Sequence, residues 1–282
     1  MDGLKAWLGG RAFDDWRADF DRDGYVIFPS VLDASAVERL RTALAPHFNH
    51  KGRNDFEGLK TNRVYALLAK DRAFAELAEH PLALAFAEAD LGHTCLLSAC
   101  LAINLLPGES VQPWHTDDGH IHVPQPHPPF GVSTFWTLDD TTEDNGATEL
   151  IPGSHLWSHD DAKAIQAPEA FQSADWDDPD HDPSPHPDAV KATMPEGSLM
   201  IAKGALLHRG GANRSGAPRL IITPQYCAGW ARPLETMIAA VPPALAATYS
   251  TRVRELIGYS IHPPFMGYVD GMHPGRLVPG AQ

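Results

Sequence analysis

The sequence has no long apolar run, little cysteine and no excess of positive charge. Its 282 residues include 22 basic and 36 acidic side chains, which gives a formal net charge of −14. Nucleic acids and anionic membranes bind to basic faces, so we expect neither as a partner. No stretch reaches the length of a transmembrane helix, and the first residues lack the apolar run of a signal peptide. We therefore expect a cytoplasmic protein.

Several familiar catalytic motifs are also missing. The three cysteines, Cys95, Cys100 and Cys227, form no Cys-x-x-Cys pair and leave one thiol over in any disulfide scheme, so we expect buried, reduced thiols. The chain contains no HExxH, no GxSxG and no GxxxxGK sequence. Zinc proteases of that type, α/β-hydrolases and P-loop nucleotide-binding proteins are therefore excluded.

The apolar residues change their periodicity along the chain. Before about residue 93 the spacing is mainly helical, apart from the run GYVIFPSVL at 24–32, which predicts a strand. Short apolar runs separated by turn sequences follow residue 93. This order predicts an all-β core, a sandwich or barrel, with flanking helices. With no linker in evidence, we expect one domain over residues 1–282, acting as a monomer or homodimer. Its parts are N-terminal helices at about 1–92, a barrel at about 93–232 and a C-terminal tail at 233–282.

One long segment within the predicted barrel is unsuited to a core. Residues 160–190 are rich in aspartate and proline, which predicts a solvated loop. We expect the wider segment 156–190 to be a mobile lid over a substrate-binding mouth, and an insertion without a role is the alternative. Its few large apolar residues are Leu156, Trp157, Phe171 and Trp176.

A cluster of metal-ligating residue types stands in the stretch QPWHTDDGHIH, residues 112–122. If residues 111–117 end a strand, His115 and Asp117 project from the same face. Two imidazoles and one carboxylate form the facial triad of non-haem iron enzymes. His208, at the end of the run LMIAKGALLH, is the candidate for the second imidazole. Arg219 follows shortly after and could bind a carboxylate through two parallel hydrogen bonds.

Other interpretations of these residues stay open. Taken alone, His115 and Asp117 would be typical of a polar surface turn. His120 and His122 form an HxH pair of the kind that binds metal in cupins, although packing or substrate contact is the simpler role. Arg219 could also be a surface ion-pair partner.

The combination of His115-x-Asp117, His208 and Arg219 resembles the phytanoyl-CoA dioxygenase family of iron(II)- and 2-oxoglutarate-dependent oxygenases. The phrases FWTLDDTTEDNGATELIPGSH and HRGGANRSGAPRLIITPQYCAGWARP carry the same resemblance. It implies a double-stranded β-helix, a jelly-roll barrel of the cupin type. It also implies iron(II), 2-oxoglutarate and dioxygen as cofactor and co-substrates, and hydroxylation or another oxidation of a small organic molecule.

The resemblance assigns roles to individual residues. It implies that His115, Asp117 and His208 bind the catalytic iron and that Arg219 binds the distal carboxylate of 2-oxoglutarate. Gln112, Trp136 and Asn104 stand where such enzymes line the co-substrate pocket. A serine often follows two residues after the second histidine, but here the residue is Gly210.

Asp117 argues against a halogenase, because those relatives replace this carboxylate to admit chloride. Two further functions remain open. One is a cupin-like metal enzyme that does not use 2-oxoglutarate, and the other is a catalytically silent barrel that serves as a binding module.

Overall fold

In the computed structural model, which describes residues 2–166 and 180–280, two antiparallel sheets enclose a shared cavity. The strands are β1 (Tyr25–Phe28), β2 (His50–Lys51), β3 (Thr61–Val64), β4 (Leu96–Leu105), β5 (Gly131–Thr137), β6 (Thr148–Leu150), β7 (Val190–Lys191), β8 (Leu199–Lys203), β9 (His208–Gly210) and β10 (Arg219–Cys227). The major sheet has the order β1-β8-β5-β10-β4-β3-β2, and the minor sheet has the order β7-β6-β9. The predicted all-β core is confirmed as a jelly roll whose major sheet is not closed.

The helices lie mainly before and after the strands. They are α1 (Phe13–Asp23), α2 (Ala34–Leu44), α3 (Ala75–Ala78), α4 (Pro81–Leu91), α5 (His159–Ile165), α6 (Met237–Ala240), α7 (Pro243–Ala246) and α8 (Thr251–Leu256). Short 3-10 turns cover Asp2–Leu4, Ala45–His47, Leu67–Ala69, Arg72–Phe74, Ser154–Leu156 and Pro274–Leu277. Asp33 caps α2 by accepting a hydrogen bond from the Ala36 amide at 2.8 Å. Pro81 opens α4, where a missing amide hydrogen costs nothing.

The two faces of the major sheet have different neighbours. Leu220, Ile222 and Tyr226 of β10 point into the main apolar core, which the helices cover. The alternate residues of β10, beginning with Arg219, point into the cavity between the sheets. Phe135, Leu150 and Met200 join the two sheets in a second apolar cluster. The parity of a residue along β10 therefore decides whether it lies in the core or in the cavity.

Two boundaries differ from the sequence prediction. Strand β1 lies in the run GYVIFPSVL, which the sequence predicts as a strand. Together with β2 and β3 it belongs to the major sheet although it precedes residue 93, so the sheet is not confined to 93–232. The run LMIAKGALLH is two strands, because the chain turns at Gly204 between β8 and β9. A Cβ at Gly204 would lie 2.9 Å from the Cα of Gly131, so only glycine lets the two backbones approach here. His208 consequently begins a strand of the minor sheet.

The described part of the polar segment 156–190 is not all loop. Residues 159–165 form α5, and Ala162 on its inner side is buried. Trp157 packs against the apolar cluster around Trp114. Phe171 and Trp176 lie outside the described residues, so the predicted lid stays a prediction.

All three cysteines are buried and free, as the sequence predicts. Among residues 2–166 and 180–280, no helix combines the length and apolar character needed to cross a membrane.

Candidate metal and co-substrate site

Three side chains from two distant parts of the sequence converge at one end of the minor sheet. Ligating atoms of His115, Asp117 and His208 all lie within 4.8 Å of one another. Nε2 of His208 is 3.7 Å from Oδ1 of Asp117, and the two imidazole centroids are 4.4 Å apart. At this spacing, a single metal ion between the three side chains could bind all of them.

The backbone holds the two histidines together. The His115 amide donates to the His208 carbonyl at 3.0 Å, and the His208 amide donates back at 3.0 Å. This isolated bridge replaces the strand that we predicted for residues 111–117. Asp117 then lies in the turn that follows the bridge, where the Asp118 amide donates to Gly204 at 3.2 Å. The convergence therefore arises from a bridge and a turn rather than from strand alternation.

Each of the three side chains has one atom engaged by the protein. Nδ1 of His115 contacts the Pro113 carbonyl at 2.9 Å, and Nδ1 of His208 contacts the Leu206 carbonyl at 3.0 Å. A carbonyl accepts only from a protonated nitrogen, so Nε2 of each ring faces the site with its lone pair free. Loss of hydration, followed by the neighbouring His208 ring, lowers the pKa of His115 to about 4. The imidazole is thus neutral near pH 7, which is the form that binds metal.

Ser133 fixes the carboxylate in the same way. Its hydroxyl donates to Oδ2 of Asp117, which leaves Oδ1 directed toward His208. Ser133 lies on β5 and is buried. Removing such an outer partner typically weakens metal binding by about 10–100-fold.

We expect Ser133→Ala to fold normally but to bind iron(II) about ten-fold more weakly, because Asp117 then loses the group that orients it. Calorimetric titration of iron(II) under anaerobic conditions measures this affinity. Ser133→Thr keeps the hydroxyl and is the matched control. Equal affinity in Ser133→Ala and the wild-type protein would show that Ser133 does not orient the carboxylate.

Arg219 is a buried cation with unused donors. Its side chain is 2% exposed, and burial lowers its pKa to about 10, so it is still charged at neutral pH. One terminal nitrogen donates to the Gly146 carbonyl. Nε and the other terminal nitrogen have no hydrogen-bond partner among the described residues. An unpaired buried donor is costly, so the arrangement favours the binding of an anion.

The surroundings of Arg219 suit the end of a small dicarboxylate. Arg219 lines the same cavity, of about 310 Å³, as the His115, Asp117 and His208 cluster. Thr148 and Thr223 also line this cavity, and the buried hydroxyl of Thr223 has no partner among the described residues. A carboxylate held by Arg219 could therefore accept further hydrogen bonds from hydroxyl groups.

Gln112 occupies the space that a side chain at position 210 would need. Its Oε1 accepts from the Gly210 amide at 2.8 Å, and its Nε2 donates to the Phe56 carbonyl. A Cβ at Gly210 would lie 2.7 Å from that Oε1. The missing serine is thus replaced by a side-chain amide that enters from the neighbouring segment, and Gln112 lines the same cavity as Arg219.

Trp136 and Asn104 do not lie where we predicted them. Trp136 is fully buried in the main core, with its ring centroid 4.9 Å from that of His80. It pairs with Ile222, a core-facing residue of β10, and Asn104 pairs with Leu220, another core-facing residue. Because neighbours across a ladder share a face, neither side chain points into the cavity.

The sequence analysis missed several residues that line the cavity. These are mainly polar residues spaced by two along the cavity faces of β3 and β10, together with Thr148 of β6: Thr61, Arg63, Thr148, Thr223 and Gln225. Once Arg219 is assigned to the cavity, the alternation of β10 predicts Thr223 and Gln225. The others depend on which strands pair, which the sequence alone does not fix.

The back of the site is anchored by Arg209, the neighbour of His208. Its guanidinium is 1% exposed, pairs with Glu149 at 2.7 Å and with Asp182, and stacks over Trp114 at 4.4 Å. Trp114 donates its indole hydrogen to the Ser184 carbonyl at 2.8 Å. Asp182 and Ser184 belong to the segment 156–190. The described C-terminal part of that segment therefore contacts Arg209 and Trp114, which are the sequence neighbours of His208 and His115.

The donor set fits a non-haem iron(II) centre. Two imidazoles and one carboxylate on a single side leave the other coordination positions of a metal open, as in non-haem iron(II) enzymes. The unpaired guanidinium of Arg219 in the same cavity fits a co-substrate with a carboxylate. Both observations agree with iron(II) and 2-oxoglutarate.

Comparisons with known proteins agree with this chemistry. A family model described as phytanoyl-CoA dioxygenase matches residues 20–221. Dioxygenase af480 of Aspergillus fumigatus is 28% identical over 270 residues, which cover 91% of this chain and 79% of the relative. Dioxygenase trt7 of Aspergillus terreus is 30% identical over 213 residues, which cover 68% and 65% of the two chains.

Solved structures share the fold. HygX of Streptomyces hygroscopicus, solved with nickel and 2-oxoglutarate bound, superposes with a TM-score of 0.61 at 17% identity and covers 79% of this chain and 90% of its own. The α-ketoglutarate-dependent carbocyclase SnoK from nogalamycin biosynthesis superposes with a TM-score of 0.59 at 17% identity, covering 78% and 85%. At these identities the likeness establishes the jelly-roll fold.

Proposed function

Because the chain belongs to the phytanoyl-CoA dioxygenase family of iron(II)- and 2-oxoglutarate-dependent oxygenases, we propose that it oxidises an unactivated C–H bond of a small organic molecule. His115, Asp117 and His208 would bind the iron, and Arg219 would bind the distal carboxylate of 2-oxoglutarate. The observation that carries this proposal is the unpaired, buried guanidinium in the same cavity as the His–Asp–His cluster.

The chemistry divides between the metal and the chain. Iron, when bound, would supply the redox chemistry. Dioxygen and 2-oxoglutarate would be consumed, succinate and carbon dioxide would be released, and the substrate would be oxidised at a C–H bond. The chain contributes position. His115 and His208 present Nε2 because their Nδ1 atoms are engaged by carbonyl groups, and Asp117 presents Oδ1 because Ser133 engages Oδ2.

Arg219 would orient the keto acid. Its guanidinium is held by Gly146 on one side, so its free nitrogens have a fixed direction. A carboxylate bound there would direct the remainder of a short keto acid toward the His115 and His208 side of the cavity. Apolar walls from Leu105, Phe135 and Ile221 would limit water in the space between them.

The two other functions have weaker support. A cupin-like metal enzyme without 2-oxoglutarate has no use for a buried, unpaired arginine beside its metal. A silent binding module has no chemical reason to keep three ligating groups within 4.8 Å, each held by an outer partner. Both features favour a working oxygenase.

Anaerobic titration with iron(II), followed by 2-oxoglutarate and oxygen, tests the proposal. We expect one iron per chain and succinate formation that requires both iron and the keto acid. Asp117→Gly should lose hydroxylation and at best accept chloride in the vacated position, because two imidazoles alone remain. Asp118→Asn is the control, since Asp118 lies next to Asp117 but outside the cluster. Undiminished oxidation by Asp117→Gly would show that another acid is the ligand.

A further inference from the structure

The cavity extends past the proposed iron ligands to a second end, away from Arg219. Arg219 and Gln225 lie on the same face of β10 and are six residues apart. At about 3.4 Å per residue they are about 20 Å apart along the strand, farther than a short dicarboxylate reaches. A small recess adjoins the cavity at the Gln225 end. Four residues line both the cavity and this recess: Asp117, His120, Gln225 and Leu234.

Gln225 lies directly beside the proposed metal ligands. It pairs with Ser133 across the β10–β5 ladder, and Ser133 donates to Asp117. Side chains that face each other across such a pair have Cβ atoms about 5 Å apart. The Gln225 amide nevertheless makes no hydrogen bond to any described residue, and neither does the His120 imidazole. Two polar groups near the metal position are thus available to a ligand.

The charges at this end disfavour an anion. Among the described residues that line the recess, none is lysine or arginine, and Asp117 and Asp118 are both present. The other arginine of the large cavity, Arg63, already donates Nε and a terminal nitrogen to the Glu57 carbonyl at 3.1 and 2.9 Å. A metal ion bound by Asp117 would offset that carboxylate, which leaves Asp118 to repel a negatively charged group, while the metal ion itself would repel an ammonium group.

We propose that this end of the cavity binds an uncharged substrate whose carbonyl or hydroxyl group hydrogen-bonds to the Gln225 amide. The inference rests on the proposed function and specifies the substrate class of the same site. A side-chain amide offers both a donor and an acceptor, so it can pair with either group. Leu101 and Leu234 provide apolar contact for the carbon skeleton. The bond to Gln225 fixes which C–H bond lies beside the metal.

Four ring compounds that differ only in their polar group test this proposal: cyclohexanone, cyclohexanol, cyclohexanecarboxylate and cyclohexylamine. The protein is loaded with zinc(II) and 2-oxoglutarate, so no turnover occurs. Binding is followed by nuclear magnetic resonance of the Gln225 side-chain amide, whose signals are assigned by their loss in Gln225→Leu. We expect the two uncharged compounds to shift these signals and to bind on the order of ten-fold more tightly than the carboxylate or the amine.

Gln225→Leu should weaken cyclohexanone binding about ten-fold, as followed by saturation transfer to the ligand. Gln166→Leu, the same change at the end of α5 and outside this cavity, should leave it unchanged. Preferred binding of a charged compound, no binding of any compound, or equal affinity in Gln225→Leu would overturn the proposal. Calorimetry of zinc(II) and 2-oxoglutarate is performed first. Failure of that step refutes the proposed function, whereas success followed by no response at Gln225 refutes only the substrate class.

Discussion

Replacing His208 with alanine is expected to abolish turnover and to remove most of the iron(II) affinity. His208 supplies one of three ligating atoms within 4.8 Å, and its Nδ1 is held by the Leu206 carbonyl so that Nε2 has one direction only. Loss of a ligand should cost more than the 10–100-fold that outer partners contribute. Anaerobic calorimetry with iron(II), together with succinate formation, measures both effects. The His115–His208 bridge uses backbone atoms, so the fold should survive.

His120→Ala is the matched control for this experiment. His120 lines the same cavity but does not belong to the His–Asp–His cluster, so iron(II) affinity should be unchanged. Circular dichroism and thermal melting of both variants verify that they fold. A folded His208→Ala protein with full activity would refute the assignment of this histidine, and a loss of iron in His120→Ala would transfer the role to the HxH pair.

The second large effect is expected at Arg219. Arg219→Lys keeps a positive charge but loses the planar group that can make two parallel hydrogen bonds, and the side chain is shorter. The apparent affinity for 2-oxoglutarate should fall by on the order of ten-fold or more. Iron(II) affinity should stay the same, because Arg219 is not one of the clustered ligands. An unchanged Michaelis constant for the keto acid would mean that another residue binds its distal carboxylate.

Arg219→Met separates binding from stability. In the wild-type protein, two guanidinium nitrogens are buried without a partner among the described residues, which costs free energy of folding. An apolar side chain of similar length should therefore raise the melting temperature in the absence of 2-oxoglutarate. Arg219→Met should also remove the rise in melting temperature that 2-oxoglutarate causes in the wild-type protein. A lower melting temperature of Arg219→Met without ligand would show that the unpaired guanidinium does not destabilise the folded protein.

The sequence predicts the location of residues with metal- or anion-binding side chains better than that of residues whose side-chain direction depends on strand pairing. His115, Asp117, His208 and Arg219 share one cavity, as their residue types suggest. The reason we gave for the first pair was nevertheless wrong, because a bridge and a turn bring them together. The four residues nevertheless lie together, because ligand types and their rough spacing constrain a metal site more strongly than local backbone geometry does.

The errors at Trp136 and Asn104 have a common physical cause. A strand has two faces, and a shift of one residue exchanges them. Trp136 is three residues from Ser133, whose hydroxyl faces Asp117, so an odd spacing places Trp136 on the other face. Neither composition nor periodicity reveals the parity when both faces are buried, as they are in β5. Only the register between β5 and β10 determines it.

The reciprocal backbone bonds between His115 and His208 also bear on the order in which the chain folds. These residues are 93 positions apart, so the bridge closes a large loop and belongs to the slow, long-range contacts. The cluster of ligating atoms cannot exist until both sheets have formed. A partly synthesised chain that ends before His208 has two of the three ligands and should not retain a metal. We therefore expect cofactor uptake to follow assembly of the two sheets, and a bound metal to slow their separation.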